Sequence, residues 1–181
     1  RKSVRGSLTR IEGLMNIIGL GTAGCTIADA LSKHPQYTTY KIDAGIQGDF
    51  DFIDDYGDSP QINRTFSLQE QDGPEGYEGS VPSLKAFFRD IGDEVVFVVS
   101  GGAKISGASL AILEQIKHCK ITVLYIKPKL NTLEDTKIKM HRVCFGVLQE
   151  YARSAVFERF VVVDNDMVER ILGEVPIIGY Y

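Results

Sequence analysis

Residues 95–111 read VVFVVSGGAKISGASLA: an apolar, β-branched run, a glycine-rich turn, and the opening of an amphipathic helix. A run that is apolar on both faces suits a central parallel strand, and parallel strands need helical crossovers to connect them. A second turn of the same design, GLGTAGC at 19–25, follows the short apolar run Met15–Leu20. Two strand–glycine turn–helix units point to an α/β fold. They also point to a site where backbone N–H groups at helix starts hold a phosphorylated ligand.

In the earlier unit the spacing is Gly19-x-Gly21-x-x-Gly24, with a strand expected before it and a helix over 26–33, stopped by Pro35. Gly19 and Gly21 allow a tight turn and close approach to a phosphate, and Gly24 allows helix and strand to pack closely. Residues 37–42 (YTTYKI) read as the second strand, closed by Asp43. An acid at that point either holds a ribose hydroxyl, as in a dinucleotide site, or is an ordinary strand-end residue. In the later unit, 94–99 is the strand, Ser100, Gly101 and Gly102 form the turn, and Gly107 opens a helix over 108–117. Ser106 and Ser109 are cap or phosphate-contact hydroxyls, and Lys104 is either a phosphate partner or a solvated loop lysine.

Between the two units, residues 44–82 hold nine acids and one base, Arg64, interrupted by Gly73, Pro74, Gly76, Gly79 and Pro82. That composition predicts a long surface excursion with little regular structure, whose acids read first as a solvated face and alternatively as an acidic docking surface. The acids at 49–58 miss the spacing of a calcium loop. Residues 83–90 (SLKAFFRD) are a short helix candidate with Leu84, Phe87 and Phe88 on one side. After the second unit, 120–126 is a buried-type strand ending near Pro128, 133–153 a long helical pattern, and 160–163 the last strong strand. That strand runs into Asp164-Asn165-Asp166 and a helix over 167–172.

Alternation of strands and helices implies a mostly parallel sheet with helices on both faces, Rossmann-like, with right-handed crossovers. The Gly19 turn, Asp43, the Gly101 turn, Pro128 and Asn165 then all fall at carboxyl ends of strands, where such folds bind ligands. The expected organisation is a basic leader or arm at 1–14 and a single α/β domain at 15–181.

Net charge is −4, which removes a general nucleic-acid footprint. No run approaches a membrane span, so no membrane partner is expected and the chain reads as cytoplasmic. Cys25, Cys119 and Cys144 have no metal spacing and read as reduced thiols. His34, His118 and His141 stand near no acid in sequence, Ser100 lacks a nucleophile elbow, and no catalytic or metal set is assigned.

The order of motifs resembles the nucleotide-binding, N-terminal domain of the tubulin and FtsZ family. GLGTAGC resembles its first phosphate loop. VVFVVSGGAKISGASLAILEQIK resembles its strand, glycine-rich loop and helix. ITVLYIKPKLNTLEDTKIK resembles the next strand and its lysine–proline turn, and VVVDNDMVERIL the strand ending in Asn-Asp. The resemblance implies GTP or GDP as ligand, with Mg²⁺. It places phosphates on Gly19, Gly21, Thr22 and Gly24 and on Gly101, Gly102, Ser106 and Gly107. It places ribose on Glu134, the guanine on Asn165, and Lys137 beside the base. It also shows departures. Lys104 and Ile105 replace a threonine and a glycine, so a β-branched side chain stands where a backbone approaches phosphate. Asp164 replaces a proline. The family's second domain, which supplies acids for hydrolysis to the neighbouring subunit, has no counterpart in these 181 residues. Any activity is therefore expected to be a weak GTPase at most.

Three readings follow. One is a divergent guanine-nucleotide-binding domain. Another is a structural component of a filament or viral particle that keeps the fold without ligand and self-associates, placing it in a virion if phage-encoded. The third is an NAD-type oxidoreductase, argued from the first glycine turn and Asp43.

Overall fold

The computed structural model describes residues 14–45, 52–54 and 61–173. The expected arm at 1–14, apart from Leu14, the tail after Gly173, and Asp49, Asp51, Asp55 and Asp58 lie outside the described residues. The elements in chain order are β1 (Met15–Leu20), α1 (Gly21–Ser32), β2 (Tyr37–Ala44), β3 (Phe52–Asp54), β4 (Gln61–Leu68), α2 (Pro74–Ser80) and β5 (Glu94–Ser100). A 3₁₀ turn (Lys104–Ala108) and α3 (Ser109–Gln115) follow. Then come β6 (Lys120–Lys127), a short 3₁₀ turn (Leu130–Thr132), α4 (Asp135–Arg153), β7 (Arg159–Asp164) and α5 (Asn165–Leu172).

The strands form one sheet in the order β3-β4-β2-β1-β5-β6-β7. Every pairing is parallel except β3 with β4. β1 and β5 lie at the centre, with Ile18 paired to Tyr40 on one side and to Phe97 on the other. Their residues are almost wholly buried because helices cover both faces. The larger core joins Ile18, Tyr40, Phe97, Val123 and Tyr125 to Ile112 of α3, Ile116 just after it, and Leu148 of α4. The smaller core joins Ile17, Val98 and Ile126 to Ala28 of α1. Each such side chain contributes roughly 1.5–3 kcal/mol on burial, and the β-branched residues' preference for extended backbone acts in the same direction.

The order in which strands are added reverses between the parallel neighbours β1 and β5: β2 and β4 extend the sheet one way, β6 and β7 the other. The crossovers part there, leaving a crevice at the carboxyl ends. Both glycine turns lead out of these two central strands.

The stretch 44–82 departs from expectation. It carries β3, β4 and α2, and β4 is a full parallel neighbour of β2. Ile62, Arg64, Phe66 and Leu68 alternate as a strand should, but Arg64 sits where an apolar residue is expected. It is buried because its guanidinium donates to the Phe87 carbonyl at 2.8 Å, pairs with Asp90, and lies over the Tyr40 ring at 5.9 Å. That same contact explains a second departure. Residues 83–90 form turns and not a helix, with Phe88 N–H donating to Leu84 O, Ile91 N–H to Phe88 O, and the Phe87 carbonyl taken by Arg64. Leu84, Phe87 and Phe88 are nevertheless all buried. The helix expected at 108–117 is split into the 3₁₀ turn and α3, and α1 starts at Gly21, five residues before its expected position.

Candidate functional site

A cleft of about 680 Å³ opens at the crevice between β1 and β5, within the size range of small-molecule sites. Its floor is the two glycine turns. Gly21, the first residue of α1, has φ +70°, a conformation that L side chains rarely adopt, and Gly102 has φ +87°. α1 has no side-chain cap at its start, and Thr22 and Ala23 of its first turn line the cleft. Opposite, Gly101 rests against β6 and α4. A Cβ there would fall 1.9 Å from the Tyr125 hydroxyl and 2.6 Å from His141 Nδ1. These two groups are 2.7 Å apart and buried; the His141 ring stacks on Phe145, and the Tyr125 ring packs at a tilt against Phe145 and Phe160. Burial raises the Tyr125 hydroxyl's pKa, and burial, then the charges of Lys127 and Arg142, lowers that of His141. The pair is a neutral prop beneath the second turn.

One side wall is β2 and α1. Asp43 lies within β2, one residue before its end, and an oxygen of its carboxylate accepts the Thr22 hydroxyl at 3.3 Å. Cys25 lies behind this wall, Sγ 3.5 Å from Gly19 O. Burial, with the Asp43 charge next, pushes its thiol up to about 12, so it stays protonated at neutral pH. The other wall is built by β6, α4 and α5. Pro128, Leu133 and Lys137 line it, and Asn165 and Val168 and Leu172 of α5 complete it. Asn165 is half-buried, and its side-chain amide has no hydrogen-bond partner among the described residues. It is held in place by its predecessor. Asp164 caps α5 by accepting from Asp166 N–H at 3.0 Å, and its other oxygen takes Lys127 at 2.6 Å. The Lys127 hydrogen bond, opposed by partial desolvation, holds the Asp164 carboxyl below the usual range.

Of the sequence-derived candidates, the cleft brings together Gly21, Thr22, Asp43, Gly101, Gly102, Lys137 and Asn165. Gly19 and Gly24 lie beneath it as packing positions: a Cβ on Gly19 would meet Gly24 O at 2.3 Å, and one on Gly24 would meet Val98 O at 2.6 Å. Ser106 and Gly107 face away, toward a second, smaller groove between α2, α3 and α4. The Ser106 hydroxyl donates to Ala103 O at 2.7 Å, and Gly107 packs on Pro74. Glu134 is the exposed residue preceding α4 and does not line the cleft. Lys104 is exposed and Ile105 buried; Ile105 lines the cleft between the turns. Val168 and Leu172 were not singled out from sequence. Their signal was an i,i+4 apolar pair directly after Asn165. Among the described residues no cluster of three or more His, Cys, Asp or Glu is placed to hold a metal ion, and no helix is long and apolar enough to cross a membrane.

No protein-family model matches the sequence, and no curated protein matches it. Solved structures do. An empty FtsZ dimer from M. jannaschii superposes with a TM-score of 0.69 at 15% identity, covering 96% of this chain and 51% of that one. The chain has an FtsZ-like fold. CetZ from Methanosaeta thermophila gives 0.60 at 15% identity, covering 89% of this chain and 48% of that one. This chain thus spans about half the length of the FtsZ and CetZ chains it resembles. A short-chain dehydrogenase/reductase from Burkholderia vietnamiensis gives 0.51 at 12% identity, covering 87% of this chain and 90% of that one. The common ground of all three is the parallel sheet with helices on both faces.

Proposed function

We propose that the cleft between the two glycine turns binds a guanine nucleotide, and that the chain acts by binding it more than by turning it over. One observation carries the reading: the strand order of the FtsZ-like sheet reverses between β1 and β5, and both glycine turns and Asn165 line the cleft at that point. The first turn of α1 offers N–H groups and partial positive charge to phosphate. Asn165 supplies an amide able to donate and accept on a base edge. Lys137 and the apolar pair Val168 and Leu172 flank that edge, and Asp43 stands where a ribose hydroxyl is reached. Among the lining residues Asp43 is the one carboxylate, and it already accepts the Thr22 hydroxyl, which favours binding over hydrolysis.

The test is calorimetric titration of guanine and adenine nucleotides into the wild type and Asn165→Ala. Loss of the amide should weaken guanine binding about tenfold or more and erase preference over adenine. Unchanged affinity would remove Asn165 from the base contact. A second reading, a nicotinamide dinucleotide in the same cleft, is favoured by the first glycine turn with Asp43, and titration with NAD in parallel separates the two. Self-association is also proposed, because Val161 and Val162 on edge strand β7 and Ile171 on α5 are exposed; sedimentation of the purified chain tests it.

A further inference from the structure

Two features of the cleft bear on how much phosphate it accepts. The first is Ile105. It sits on the 3₁₀ turn after Gly102, is 7% exposed, and reaches across to the other turn, where its Cγ2 lies 2.9 Å from the point a Cβ on Gly21 would occupy. Its side chain therefore occupies the gap between the two turns on the floor of the cleft. An aliphatic group there offers a polyphosphate no hydrogen bond and takes up the volume a terminal phosphate would fill. The second is charge. The lining residues carry one cation, Lys137, and one anion, Asp43, and Asp43 stands beside the α1 turn. Each added phosphate brings further negative charge into a cleft whose lining cation, Lys137, is already matched by Asp43.

Resting on the nucleotide reading of the cleft, we infer that Ile105 and Asp43 select a nucleoside bearing one or two phosphates against the triphosphate. Ile105 acts by volume and Asp43 by charge, so the two are separable. Lys104, exposed on the same 3₁₀ turn, does not line the cleft and does not compensate.

Titrating GMP, GDP and GTP into the wild type, Ile105→Ala and Asp43→Asn tests this. The wild type should bind GMP or GDP at least about tenfold more tightly than GTP. Ile105→Ala should narrow that gap chiefly by strengthening GTP, and Asp43→Asn should narrow it with a loss of salt dependence. Should the buried Ile105 position tolerate no truncation, Asp43→Asn and the wild-type order still decide. GTP binding as tightly as GDP to the wild type, or variants that leave the gap as wide as in the wild type, would overturn the inference while leaving the cleft a nucleotide site. Failure of all three nucleotides on the wild type and both variants would overturn the nucleotide reading, and this inference with it.

Discussion

Gly101 and Gly146 are both glycines of this half of the chain, yet a methyl group has opposite consequences at the two. At Gly101 it would meet the Tyr125 hydroxyl at 1.9 Å and the His141 ring at 2.6 Å, both buried and packed, so nothing can yield cheaply. Gly101→Ala should cost about 1–3 kcal/mol of stability and displace the second turn. At Gly146, within α4, a Cβ meets nothing within 4 Å, and Gly146→Ala should stabilise by about 0.5–1 kcal/mol through helix propensity alone. Paired urea denaturation curves check both, and equal effects would mean the prop beneath Gly101 is not rigid. The glycine turns were legible in the sequence because glycine has few other reasons to cluster between a strand and a helix. The Tyr125–His141 prop was not, since neither residue carries a local signal and the two meet only when β6 and α4 pack.

At the scale of elements, β4 shows why part of the fold escaped the sequence. Its alternation was present, but a strand reads as buried only if the inward residues are apolar, and one of them is Arg64. The ion pair with Asp90 and the Phe87 carbonyl make that position tolerable, and both partners come from a segment some twenty residues later. Burial opposes ionisation of Asp90, but the hydrogen bonds and charges of Arg64 and Arg89 prevail and hold its carboxyl below the ordinary 3.8. Because folding depresses that pKa, the stabilisation is complete above the ordinary value and is lost as pH falls through the depressed one. Asp90→Asn should therefore be less stable than the wild type at neutral pH, and the difference should shrink as the solution is acidified below the ordinary carboxyl range. Melting temperatures of the two proteins across an acid series measure it. A constant difference would show that the Arg64 lock does not depend on the Asp90 charge. The α1 boundary is a smaller lesson of the same kind. The helix was expected to begin after the glycine turn, yet it begins at Gly21, because a turn of positive φ leads directly into the first N–H groups.

For the whole molecule, the alternation of apolar strands with amphipathic helices was enough to give a parallel sheet, and the FtsZ-like superposition agrees with it. The strand order supplies what alternation leaves open, namely that the two glycine turns are neighbours across the reversal between β1 and β5. That adjacency gathers Gly21, Gly101 and Asn165, which are far apart in sequence, around one cleft, and sends Ser106 and Gly107 elsewhere. Whether this cleft holds a guanine nucleotide is decided most directly by denaturing freshly purified protein and chromatographing what it releases, with GTP, GDP, ATP and NAD offered in parallel titrations. Guanine nucleotide released in near-stoichiometric amount, with GDP or GMP exceeding GTP, is the expected result. Protein that releases nothing and binds none of the added ligands would contradict the central claim and leave the glycine turns as architecture.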